Sequence, residues 1–214
     1  MNLSVVPALM LVALSAFSET RQAPIAPIAL YAKFEESAPE GVIDSLHDEL
    51  ENIMAHMGFQ FDWRRLDGVR GNEVTVELAV ITFKGHCDVA GLTSRASTPG
   101  PLGWTHVSDG VILPFSDVDC DRIRGFVQKE LLSLRAEERE VVMGRALGRV
   151  VAHELYHIFA NTSRHGSCGV GKAAYTVQEL LSPDFQFEAR ETEALRTSKS
   201  YQLLEQSKSP TLDE

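Results

Sequence analysis

Between Ile28 and Phe83 the apolar positions change period repeatedly. Val42, Ile43, Leu46, Leu50, Ile53, Met54 and Met57 recur in steps of three and four, the spacing of one helix face. Gly58 is placed to stop that helix. Ser37 and Glu40 have the spacing of a capping box, with Pro39 just inside the start. Ile28 to Phe34 and Phe59 to Leu66 predict strands on either side. Val74, Val76, Leu78 and Val80 alternate with Thr75, Glu77 and Ala79, which predicts a further strand reaching about Phe83. Asp67-Gly68 and Gly71-Asn72 mark turns.

The stretch from Gly91 to Gly103 reads as a loop. Trp104 to Ser116 predicts one or two more strands. Pro114 favours an edge position there, because proline cannot donate to a ladder, and Val111-Ile112-Leu113 is the candidate edge. A helix is expected from about Asp121 to Leu134. A second, longer one begins near Ala136, and Asn161 is the residue suited to end it, since asparagine tolerates a left-handed turn. Beyond lie a short Val177–Leu181 segment and a charged final helix with a polar tail. No internal repeat or second domain is visible.

The longer helix changes the picture. Leu147, Val150, Val151, Leu155, Ile158 and Phe159 make most of its faces apolar, so it should be buried. Yet it carries His153-Glu154-Leu155-Tyr156-His157. Histidines four apart stack on one helix face and can reach one metal ion. Burying them with a carboxylate is costly unless they are paired or ligated. Zinc takes nitrogen ligands and, in catalytic sites, keeps a position for water. Glu154 lies where a carboxylate could take that water's proton. The motif points to a zinc hydrolase, most often a peptidase.

A third ligand is required. His165, in Asn161-Thr-Ser-Arg-His-Gly166, is the first candidate. Glu179, Glu188 and Glu191 are competitors, because some zinc sites use two histidines and a glutamate. The run His153-Glu154-x-x-His157 followed by His165-Gly166 resembles the metzincin clan of zinc metallopeptidases. It departs from the clan pattern in three ways. The third histidine comes two residues late, Ala160 stands where a glycine is expected, and no methionine follows Met143. The resemblance implies an α+β, zincin-like fold: a small mixed sheet packed on a metal-binding active-site helix. It implies Zn2+ held by His153, His157 and His165, with Glu154 as general base, acting on a peptide or protein. Tyr175 is either an additional oxyanion donor or an ordinary tyrosine. His106 is a loop histidine or a substrate contact. His47, His56 and His86 receive no role. The alternative is a secreted zinc-binding protein of the same fold without catalysis, and thiol chemistry at Cys168 is a further rival.

Composition sharpens the setting. The 214 residues suffice for one domain, and a formal charge of −10 with pI near 5.2 argues against nucleic-acid partners. Leu3 to Phe17 is mostly apolar and too short for a comfortable span, which needs about 20 residues. Residues 1–18 therefore read as a signal peptide, 19–28 as an extended leader and 29–214 as a single zincin-like domain. That predicts a secreted or periplasmic protein with no stable membrane span after cleavage. Cys87 and Cys120 are the natural disulfide pair of an exported chain, leaving Cys168 as a spare thiol, either near the metal or buried and inert.

Overall fold

The computed structural model describes residues 26–92 and 99–208. The expected signal peptide lies outside them. The order is β1 (Ala26–Phe34), α1 (Glu40–Met54), β2 (Asp62–Arg65), β3 (Thr75–Lys84), β4 (Gly103–Ser108), β5 (Val111–Asp119), α2 (Cys120–Leu132), α3 (Ala136–Phe159), α4 (Val177–Leu180), α5 (Ala189–Arg196) and α6 (Lys199–Lys208). The strands form one mixed sheet in the order β2-β1-β3-β5-β4. All neighbours run parallel except β4, which is antiparallel to β5.

Strand alternation sends Ile28 and Leu30 of β1, and Ala79, Ile81 and Phe83 of β3, to one face. There they join Val42, Leu46 and Leu50 of α1 and Leu147, Val151 and Leu155 of α3 in the main core. Ala29, Tyr31 and Val80 form a smaller cluster separate from it. Helices α1 and α3 approach closely through Gly144 and Gly148. A Cβ at Gly144 would overlap the Val42 carbonyl oxygen, and one at Gly148 would lie 2.8 Å from that of Leu46. This close approach holds the motif helix firmly against α1.

Three expectations need correcting. Val111–Leu113 is not on the outer strand: β5 lies between β3 and β4, although this first part of β5 has β4 alone beside it and its other side is unpaired. Pro114 is tolerated because β3 pairs with β5 only from Phe115 onward, and the β4 ladder shifts register between Thr105 and Val107. The Ser37 capping box does not form. Pro39 is itself the N-cap, extended at φ −59 and ψ 145, and its carbonyl accepts from Val42 and Ile43. β1 starts at Ala26, inside the expected leader, because Ala26 already pairs with Thr75.

Cys87 and Cys120 are joined in a disulfide that ties the chain after β3 to the start of α2. Such a bond fits an exported protein. No helix among the described residues is long and apolar enough to cross a membrane.

Candidate metal centre

Helix α3 presents His153, Glu154 and His157 from within the core, with residue exposures of 9%, 3% and 8%. The helix ends at Phe159, and Asn161 takes the left-handed conformation (φ 47) that turns the chain. The turn brings Thr162 back under the helix end. Its N–H donates to the His157 carbonyl at 3.1 Å, and its carbonyl accepts from His157 Nδ1 at 2.6 Å. Three residues later His165 faces the same space. Its ring centroid is 5.2 Å from that of His153 and 4.8 Å from that of His157. One ligand nitrogen from each of the three histidines lies within 4.8 Å of the others.

The second fixed point is Val170. Its carbonyl accepts from His153 Nδ1 at 2.7 Å and from the Tyr175 hydroxyl at 2.5 Å. The strip holding it is pinned by Gly166 N–H to the Gly171 carbonyl at 2.7 Å and Val170 N–H to the Gln186 carbonyl at 3.1 Å.

These contacts fix the tautomers. With Nδ1–H of both rings donating to carbonyls, the Nε2 atoms of His153 and His157 carry bare lone pairs. They face each other at 3.0 Å. A neutral pair so arranged repels, and burial depresses the basicity of both rings, His153 to about 4. A cation between them removes the repulsion. Two nitrogens bound at zinc distances in tetrahedral geometry would lie about 3.3 Å apart, so the donor set fits zinc, with carbonyls as the orienting outer partners.

Glu154 points toward strand β4. The Thr105 hydroxyl donates to its Oε2 at 2.7 Å and is itself 2.8 Å from Ser116 Oγ. Burial pushes the Glu154 carboxyl up to about 7, where it can take and return a proton near neutrality. β4 can pass this close because residue 103 is glycine. A Cβ there would lie 2.8 Å from Val150 and 2.9 Å from Glu154 Oε1. A cavity of about 360 Å³ opens beside His153 and Glu154, walled by Leu102, Gly103, Phe126, Val150 and Tyr175.

The other candidates are placed as follows. Glu179 is engaged by Lys172 and by Thr176 at the start of α4. Glu188 accepts from Cys168 Sγ at 2.6 Å and from Ser167. Glu191 is buried against Gly166 and Gly171. None of the three belongs to the histidine cluster. Cys168 is exposed rather than buried. His106 stands on β4, not in a loop, with Nε2 2.9 Å from Asp117. His47 stacks on Trp63, His56 meets the Asn52 carbonyl and His86 lies 3.4 Å from Asp121. Sequence reasoning missed Thr105 and Gly103. Nothing local marks them, because their role depends on the register of an edge strand.

Neither a family model nor a curated protein sequence matches this chain. Among solved structures, the crystal structure of a zinc-dependent peptidase from Methanocorpusculum labreanum (strain Z) aligns at 12% identity with TM-score 0.48, covering 78% of this chain and 99% of that one.

Proposed function

We propose that this chain is an exported zinc-dependent peptidase of zincin-like, metzincin-like architecture. In this reading His153, His157 and His165 hold the metal and Glu154 is the general base. The observation that carries it is the pair of Nε2 lone pairs held face to face at 3.0 Å by carbonyl acceptors. That arrangement has a cost without a cation and none with one.

Bound there, zinc would supply a water of lowered pKa and polarise a scissile carbonyl. The remaining work belongs to the chain. Thr105 holds Glu154 Oε2, leaving Oε1 to take a proton and deliver it to a leaving nitrogen. β4, the outer strand on the side of β5, offers a backbone edge on which an extended peptide can align. The cavity beside Glu154 can receive one of that peptide's side chains, which favours catalysis over a purely metal-binding role. The disulfide supports export, and N-terminal sequencing of protein from its host should begin near Glu19.

The decisive experiment pairs metal analysis with a broad peptide library. Wild type should carry about one zinc per chain and cleave peptides. Glu154→Gln should keep the zinc and lose activity by about 10²–10⁴-fold. A zinc-loaded wild type that cleaves nothing would leave only the non-catalytic metal-binding reading.

A further inference from the structure

On the far side of the His157–His165 turn lies a second hollow of about 460 Å³, walled by Tyr156, Asn161, Thr162, Arg164, Arg190 and Ser198. Its chemistry differs from that of the cleft. We propose that it binds a small oxyanion with the charge and shape of phosphate or sulfate.

Two features of the arginines carry this. The chain has a net charge of −10, and Arg64, Arg65, Arg122, Arg135 and Arg149 each have a carboxylate partner. Arg164 and Arg190 have none among the described residues, although both border the same hollow. Two guanidinium groups without a carboxylate partner, from separate parts of the chain and bordering one hollow, offer it planar sets of donors suited to an oxyanion.

Tyr156 adds an independent observation. Its residue is only 4% exposed, yet its hydroxyl has no hydrogen-bond partner among the described residues and it lines the hollow. A hydroxyl that borders the hollow without a protein partner is free to donate to an occupant. The start of α6 contributes as well. Ser198 stands immediately before the helix and its Oγ accepts from Tyr201 N–H at 3.1 Å, which places the positive end of the helix at the hollow's wall. Against these stands the single buried carboxylate of Glu191 near Tyr156. Two guanidinium charges and a helix start outweigh it, and no carboxylate lines the hollow.

The proposal does not depend on the peptidase reading. Its test therefore uses full-length mature protein stripped of metal with a chelator, so that added anion cannot bind to a metal at the histidines. Titration calorimetry with inorganic phosphate should show saturable binding at one site. Arg164→Ala and Arg190→Ala should each weaken it about tenfold or more, and Tyr156→Phe by a smaller factor. Both arginines are exposed, so these variants should melt as wild type does. No saturable binding up to about 10 mM phosphate would overturn the site. So would binding that persists unchanged in the arginine variants.

Discussion

His153 and His157 stand on a helix embedded in the core, while His165 stands on a strip that has almost no regular structure. The first pair is held by packing: α3 lies against α1 at glycine distance, and both rings are nearly enclosed. His165 is exposed, and its place is set by the turn at Asn161 and a few backbone hydrogen bonds. The difference teaches that one candidate centre can draw its side chains from two stability regimes, one global and one local.

The largest effect that separates the two regimes comes from the three histidines. His153→Ala or His157→Ala should abolish zinc stoichiometry. His165→Ala should weaken zinc by more than the about 10–100-fold that loss of an outer partner costs. The metal-free proteins should then diverge. His153→Ala opens a void beneath Val170 and should lower the melting temperature, whereas His165→Ala should leave it unchanged. Equal melting temperatures for the two metal-free variants would erase the distinction.

The same divide governed what the sequence could reveal. The helix was legible because its apolar residues and its histidines follow one period, and Asn161 marked its end through its own tolerance of a left-handed turn. The alternation from Val74 to Phe83 likewise made β3 legible. Strand order was not, because neighbours are chosen by residues far apart. Pro114 pointed to an edge, but it sits in an interior strand at a gap in the ladder. Thr105 and the carbonyls of Thr162 and Val170 were invisible for the same reason: a backbone acceptor or an edge hydroxyl has no signature until the fold aims it.

A smaller effect tests the link between the two regions. Arg149, buried on α3, donates to Glu49 Oε1 at 2.6 Å and to the Leu180 carbonyl at 2.5 Å, and stacks 4.8 Å over Phe185. It therefore fastens α1 and the lower strip to the motif helix. Glu49→Ala would leave that guanidinium buried and half satisfied, and should cost about 3–5 kcal/mol in urea unfolding. Lys172→Ala breaks the Glu179 pair on the strip's surface and should barely move the same transition. Similar costs for the two substitutions would mean that packing and surface pairing hold the chain equally.

The smallest effect should appear on acidification, and in the strip alone. Glu179 is held down to about 2 from an ordinary value of 4.5, first by the Lys172 ammonium and then by Thr176. The Cys168 thiol and Ser167 also hold Glu188 below its usual range. A carboxylate with a depressed folded pKa contributes stability that is fully present above 4.5 and fades as pH falls through the folded value. Between about pH 4.5 and 2 the strip from Gly166 to Glu191 should therefore loosen. Because both groups are exposed, the loss should be local rather than a global unfolding. Hydrogen exchange on metal-free protein across that window should show amides such as Gly166 and Val170 losing protection while those of α3 near Val151 keep theirs. Glu179→Gln removes the titrating group, so the Lys172 contact near Gly171 should lose most of its pH dependence there. If α3 and the strip lose protection together in wild type, the two regions unfold as one unit and His165 is held as firmly as His153 and His157.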